Sequence, residues 1–368
     1  MKTTLELFEI GQSVWYDNIR RGLIENGEMQ RMIERGEIRG VTSNPSIFMK
    51  AITQSTDYDK SLEPLKETEL NAEEIFFSLA IEDIKAATDL FRSMYQESNR
   101  GDGYVSLEVS PYLADQTQET VDQAEDLWKR IDRPNLMIKI PATKAGLPAI
   151  EAAIFSGINV NVTLIFSLDR YQEVMEAYIK GLERRLQAGL PLESIASVAS
   201  FFVSRIDTKV DDRLQKIIDK GGVDAEKAKS LLGKAAIASA RIAYEQFSQV
   251  FSTNRFTKLR EKGAHVQRPL WASTSTKNPD YRDVRYVEEL IGPNTVNTMP
   301  PQTLKAFLDH GVVEETIEKN LEDAKQCLED LESLGISMSL VTDELLDEGV
   351  KSFADSFTEL LEAIDRRG

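Results

Sequence analysis

Lys139 stands in the segment NLMIKIPAT, with Leu136, Met137, Ile138 and Ile140 around it. A lysine among residues composed for a buried strand cannot easily carry its ammonium to water. Burial disfavours the charged form and makes the free amine a nucleophile toward carbonyl carbon. The alternative is a lysine paired with a core carboxylate. Two acids occupy comparable settings, Glu108 in YVSLEVSP and Asp17 in SVWYDN. Imine chemistry adds and removes protons at water and hydroxyl oxygens in several steps, work that carboxylates tuned by their surroundings perform. Each acid alone reads as a strand-end cap or half of a core ion pair. Together, three ionisable groups in three apolar runs describe an amine with an acid–base set around it.

Two further runs carry hydrogen-bonding groups. In INVNVTLIF a period of two puts Asn159, Asn161 and Thr163 on one face and Val160, Val162 and Leu164 on the other. Amides turned toward an interior are costly unless a ligand or water partners them. The turn Thr42-Ser43-Asn44-Pro45 brings more short polar groups to a strand end. For an anion, Arg205 follows SFFVS, where a guanidinium would clasp a phosphate in bidentate fashion. Its alternative is an ion pair with Asp207 or Asp211. The run Ser273-Thr274-Ser275-Thr276-Lys277 would complete such a site with hydroxyls and an ammonium. Neither a GxGxxG fingerprint nor a GK[ST] loop occurs, so nucleotide binding has little support.

Short apolar runs recur at 13–17, 38–42, 104–109, 136–140, 158–166, 195–203, 269–273 and 294–299. Helical patterns such as 74–95, 121–130, 168–187 and 224–251 separate them. That alternation predicts βαβ units and a parallel sheet, and eight units predict a closed (β/α)8 TIM barrel with additional helices. A doubly wound open sheet is the alternative, and the first run also suits the start of a helix. The surplus length falls in a polar stretch at 53–68, a long helical stretch after Arg205 and acidic helices after Met299. In the last of these Leu321, Leu328 and Leu331 read as core, Gly335 as a C-cap, and FADSFTELLEAIDRRG as a final amphipathic helix. No Gly-, Ser- or Pro-rich linker interrupts the chain. The expectation is one domain over 1–368, with a helical insertion around 205–263 and C-terminal helices at 302–368.

The 368 residues include 61 acidic and 44 basic side chains, a formal net charge of −17. Such a field repels phosphate backbones and anionic membranes, so neither nucleic acid nor membrane is an expected partner. A small anionic substrate sees only its pocket. Cys327 is the sole cysteine, which rules out an intrachain disulfide and a Cys-based zinc site. His265 and His310 lack ligand spacing, and no metal or cofactor is expected. Glu6 and Glu9 fall where a signal peptide needs an apolar core, and no apolar run reaches 18 residues. A cytoplasmic protein, monomer or homodimer, is expected.

In order, GVTSNPSIF, VSLEVSP, LMIKIPAT, GINVNVTLIFSLDRY and SFFVSRID resemble the strand-end motifs of the transaldolase family. The likeness runs from Gln12 to Pro301, and GQSVWYDNIRR and WAST are similar to the longer bacterial subgroup. The resemblance implies a (β/α)8 barrel acting in the non-oxidative pentose phosphate pathway. That family moves a dihydroxyacetone unit from sedoheptulose 7-phosphate or fructose 6-phosphate to glyceraldehyde 3-phosphate or erythrose 4-phosphate. By this likeness Lys139 is the Schiff-base nucleophile and Asp17 the acid–base at the C4 hydroxyl. Glu108 and Thr163 would hold the catalytic water. Asn44, Asn161 and Ser200 would bind hydroxyls, Phe202 would form a wall, and Arg205 and Ser273 would meet the phosphate. One departure stands out: much of the family has an arginine where this chain has Ser275, with Lys277 two residues on. A lysine supplies the charge but not the bidentate geometry. The rivals are a Schiff-base fructose 6-phosphate aldolase and a silent barrel that binds sugar phosphates. Chain length disfavours the first, and retention of Lys139, both acids and Thr163 disfavours the second.

Overall fold

The computed structural model describes residues 2–366. Eight parallel strands form a closed barrel: β1 (Gln12–Asp17), β2 (Val41–Thr42), β3 (Val105–Glu108), β4 (Leu136–Pro141), β5 (Val160–Ile165), β6 (Ser197–Phe202), β7 (Gln267–Ala272) and β8 (Thr295–Met299). β8 closes onto β1 through pairs from Gln12↔Thr295 to Tyr16↔Met299. Closure excludes the open sheet, and the first apolar run is a strand. The strands are buried on both faces, as parallel strands covered by crossover helices must be.

β2 is shorter than its apolar run suggests. Gly40 lies against the indole of Trp15, so closely that a Cβ would sit 2.8 Å from the ring. Ladder bonds nevertheless continue beside it, from Arg39 N to Val14 O (2.7 Å) and from Tyr16 N to Gly40 O (2.8 Å). The 74–95 pattern resolves into two helices, Ala72–Leu90 and Arg92–Glu97. Asn71 starts the first with a capping box to Glu74. The 224–251 pattern also breaks in two, Ala225–Leu231 and Ala235–Phe251, at left-handed Gly233. The polar stretch 53–68 contains the helix Asp59–Lys66 and is anchored, because Tyr58 is buried and donates to Asp83 Oδ2 at 2.8 Å.

In β5 the expected alternation stops at Thr163. Leu164 takes a positive φ of 58°, and the register with β6 shifts between Val162 and Ile165. Leu164 then packs beside Gly349 of the C-terminal helix, where a Cβ would be 3.0 Å from its Cδ2. Asn159 also departs from expectation. It serves the backbone, donating to Pro134 O and Leu136 O and accepting from Ala196 N.

After β8 come helices Pro301–His310, Leu321–Ser333 and Met338–Arg366. Gly335, with φ of 77°, ends the second by the left-handed route. Leu331 and Cys327 are buried there, whereas Leu321 and Leu328 are only partly covered. The last helix lies across the barrel mouth. Ser356 Oγ meets Ser46 Oγ at 2.7 Å, and Phe357 packs edge-on against Phe76 and Tyr112, each at 5.3 Å. We propose that barrel and C-terminal helices form one cooperative unit. Phe357→Ala should then cost about 3–5 kcal/mol in a single denaturant transition; a separate early transition would show that the helix unfolds alone.

Candidate active site

Strand register brings the ionisable groups together. Glu108 pairs with Lys139 across β3 and β4, and Lys139 pairs with Asn161 across β4 and β5. The three side chains therefore share one level of the barrel interior, toward the carboxyl ends where barrel sites form. Lys139 Nζ lies 3.3 Å from Glu108 Oε2 and donates to Ser43 O at 3.0 Å. Both side chains are buried, at 5% and 6% exposure. The ion pair weighed from sequence is thus present, yet Lys139 also borders open space. A cavity of about 670 Å³ opens at this end of the barrel, and Lys139, Asp17 and Thr163 line it.

Asp17 ends β1 opposite Thr42 and accepts from Thr42 Oγ1 at 2.7 Å. Thr42 Oγ1 in turn lies 2.6 Å from Thr298 Oγ1. Burial pushes the Asp17 carboxyl above its ordinary value, and attraction to Lys139 and the Thr42 bond pull the other way. Glu108 is raised for the same principal reason, again opposed by Lys139. Two acids raised by burial beside an amine form a set able to exchange protons with it. Thr163 Oγ1 is buried and has no hydrogen-bond partner in the protein, so its hydroxyl is left for whatever enters.

A polar chain runs beneath the floor. Ser200 Oγ donates to Asn161 Oδ1 at 2.7 Å, and Asn161 Nδ2 donates to Ser106 Oγ at 3.0 Å. Ser200 faces the cavity, whereas Asn161 and Glu108 lie below its lining, joined to it through Ser200 and Lys139 respectively. Asn44 caps the helix Pro45–Thr53 through Oδ1, accepting from Ile47 N at 3.0 Å, which leaves Nδ2 for a ligand. Phe202 forms a wall, stacked with Phe166 at 5.1 Å.

The anion candidates gather on the same cavity. Arg205 lines it with its guanidinium 5.4 Å from the Phe202 ring centre. It pairs with neither Asp207 nor Asp211, whose oxygens are taken by Ala236 N, Gly233 N, Tyr286 and Tyr281. Ser273, Ser275 and Lys277 line the cavity too, and Lys277 Nζ donates to Ser275 Oγ at 2.7 Å. Burial lowers both Arg205 and Lys277, and Lys277 is lowered further by repulsion from Arg205 and Lys50. Among the described residues Arg205 and Lys277 make no side-chain hydrogen bond to a carboxylate and feel only longer-range attraction, from Glu348 and Asp17 respectively. Such a cluster is completed by an anion.

Sequence reasoning missed three contributors. Lys50 sits in the last turn of the helix after β2, where a lysine reads as an ordinary solvated end. Phe353, from the C-terminal helix, roofs the cavity with its ring centre 5.7 Å from Lys139 Nζ, a placement only tertiary structure reveals. Thr298 had no signal beyond being a hydroxyl in an apolar strand.

A buried lysine, two carboxylates and a cation cluster at the carboxyl end of a (β/α)8 barrel form an arrangement in which imine chemistry on an anionic carbonyl compound is feasible. Comparison with known proteins narrows that chemistry. The family described as Transaldolase/Fructose-6-phosphate aldolase matches residues 14–364. The chain is 50% identical to "Transaldolase" of Parafrankia sp. (strain EAN1pec), over 99% of this chain and 97% of that protein. It is 48% identical to "Transaldolase" of Thermobifida fusca (98% and 96% covered) and 46% identical to "Transaldolase 2" of Nostoc sp. (98% and 96%). This chain belongs to the transaldolase/fructose-6-phosphate aldolase family.

Proposed function

We infer that the protein is a transaldolase, a transferase that moves a dihydroxyacetone unit between sugar phosphates through an imine on Lys139. The observation that carries this reading is the single interior level shared by Glu108, Lys139 and Asn161, with Asp17 on the same cavity. Similarity to proteins named transaldolase over nearly their whole length favours transfer over release of free dihydroxyacetone.

Lys139 yields its ammonium proton to Glu108 across their ion pair, and the neutral amine adds to the C2 carbonyl of sedoheptulose 7-phosphate or fructose 6-phosphate. Water leaves as the carbinolamine oxygen is protonated, with Glu108 as the acid and Thr163 Oγ1 steadying the departing water. The protonated imine then draws electrons from the C3–C4 bond, as a carbonyl cannot at neutral pH. Asp17 takes the C4 hydroxyl proton, C3–C4 breaks, and an aldose phosphate leaves. The enamine stays tethered to Lys139. An acceptor aldehyde, glyceraldehyde 3-phosphate or erythrose 4-phosphate, is attacked by C3, and Asp17 returns the proton to its oxygen. Water readmitted beside Glu108 and Thr163 hydrolyses the new imine. Asn44 and Ser200 bind hydroxyls of the three-carbon unit, Asn161 supports them from below through its bond to Ser200, and Phe202 and Phe353 keep the enamine from bulk water.

The phosphate binds at Arg205, Ser273, Ser275 and Lys277, with Lys50 adding charge from the opposite rim. Lys277 acts together with Ser275, to which it is hydrogen-bonded, and so supplies the charge that an arginine provides elsewhere in the family. The cations make a local attractive field in a protein that is otherwise strongly acidic. Within this reading the protein works in the cytoplasm in the non-oxidative pentose phosphate pathway. No described helix is long and apolar enough to cross a membrane.

The test is transfer itself: purified protein with fructose 6-phosphate and erythrose 4-phosphate should yield sedoheptulose 7-phosphate and glyceraldehyde 3-phosphate. Free dihydroxyacetone released at a comparable rate would replace transferase with lyase. Arg205→Met should raise KM for the phosphorylated acceptor by about 10- to 100-fold, the worth of charged hydrogen bonds. Lys50→Met should raise it less, and an unchanged KM in Arg205→Met would remove Arg205 from the phosphate site.

A further inference from the structure

Arg205 belongs to the helix Ser204–Lys220, whereas Ser275 and Lys277 belong to the segment joining β7 to the short helix Arg285–Glu288. A phosphate gripped by both requires the two elements to keep a fixed separation. The segment has little regular structure of its own, and the cations it presents repel Arg205 and Lys50. Something must hold it against that repulsion.

Asp207 and Asp211 stand one turn apart on the Arg205 helix, and each carboxylate ties down two elements. Asp207 accepts from Ala236 N at 2.8 Å and from the Tyr286 hydroxyl at 2.7 Å. Asp211 accepts from Gly233 N at 2.8 Å and from the Tyr281 hydroxyl at 2.7 Å. Tyr281 is four residues beyond Lys277. Its ring lies on Gly233, so closely that a Cβ there would come within 2.6 Å, and the Arg285 guanidinium covers it at 4.8 Å. The near end of the segment is fixed to the same helix, since Ser204 N donates to Ser273 O at 3.1 Å and the two hydroxyls lie 3.0 Å apart. Between these ties lie Ser275 and Lys277.

We propose that Asp211 and Tyr281, seconded by Asp207 and Tyr286, are positioning residues that preset the spacing of Lys277 and Ser275 to Arg205 and so determine the affinity for the phosphate of the substrate. A preorganised clamp spends no binding energy on ordering the segment or overcoming cation repulsion when the anion arrives. Without the Tyr281 bond the segment relaxes outward, and each phosphate must pull it back. The proposal rests on the transaldolase reading for its substrate, though not for its geometry.

Tyr281→Phe removes one hydroxyl and keeps the ring on Gly233. Two measurements decide. The first is calorimetric affinity for inorganic phosphate, which needs no catalysis. The second is KM and kcat for erythrose 4-phosphate against unphosphorylated D-glyceraldehyde. Expected are about tenfold weaker binding of phosphate, a similar rise in KM for erythrose 4-phosphate, an unchanged kcat and an unchanged KM for glyceraldehyde. Asp211→Asn with Tyr281 in place, where the amide oxygen still accepts from Gly233 N and the amide NH2 donates to the Tyr281 oxygen, should retain most of the affinity. Unchanged phosphate affinity in a folded Tyr281→Phe protein would overturn the proposal, as would an equal loss for both acceptors. If wild-type protein transfers nothing but binds phosphate with the predicted Tyr281 dependence, the clamp stands and the transaldolase reading falls.

Discussion

Lys139→Met should lower kcat by about 10⁴- to 10⁶-fold, the range reached when a covalent nucleophile is lost. Methionine keeps the length and apolar stem of lysine while removing the amine. Residual turnover would have to come without an imine, because among the described residues no other strand of the barrel carries a lysine. The same change carries a stability signature. With its cation gone, Glu108 is a buried unpaired carboxylate, a situation costing about 3–5 kcal/mol if the charge is kept. Its carboxyl, already raised by burial, rises further without Lys139. An acid whose folded value exceeds its unfolded value destabilises the protein as pH climbs through the folded value, and the loss is recovered as pH falls back toward the unfolded one. The stability deficit of Lys139→Met should therefore be largest above the raised Glu108 value and shrink as pH falls from there toward the unfolded value. A deficit independent of pH would mean that Glu108 is not charged beside Lys139.

Asp17→Asn should separate imine formation from bond cleavage. The expected fall in kcat is about 10²- to 10⁴-fold, the usual worth of a positioned acid–base. Imine formation depends on Lys139, Glu108 and Thr163, so the donor should still condense with the enzyme and be trapped with all its carbons. Asp17 must be ionised to take the C4 proton, and burial raises its carboxyl. Wild-type activity should accordingly fail on acidification at a pH above the ordinary aspartate value, and Asp17→Asn should lack that limb. A three-carbon adduct trapped on Asp17→Asn at the wild-type rate would assign the proton transfer to another group.

Much of this arrangement is legible in the chain. Eight apolar runs became eight strands because a parallel sheet under helices needs residues apolar on both faces, leaving Lys139, Glu108 and Asp17 conspicuous. Other features depend on contacts that no local pattern encodes. Gly40 lies on Trp15 just before β2, and Leu164 turns left-handed beside Gly349, nearly 200 residues away in sequence. Asn159 shares a strand face with Asn161 in the period-two pattern, yet its position at the strand start commits it to backbone carbonyls. Lys50 and Phe353 look like a solvated helix end and a core aromatic until the barrel mouth collects them. The unpaired state of Arg205 was equally hidden, because Asp207 and Asp211 are nearby acids whose true partners lie in other segments.

The central claim is that Lys139 forms the imine. The direct measurement is intact and peptide mass after incubation with fructose 6-phosphate and sodium borohydride, with Lys139→Met alongside. A reduced sugar adduct confined to the Lys139 peptide, and absent from the variant, is the predicted result. No adduct with either fructose 6-phosphate or sedoheptulose 7-phosphate, or an adduct on a different lysine, would contradict it.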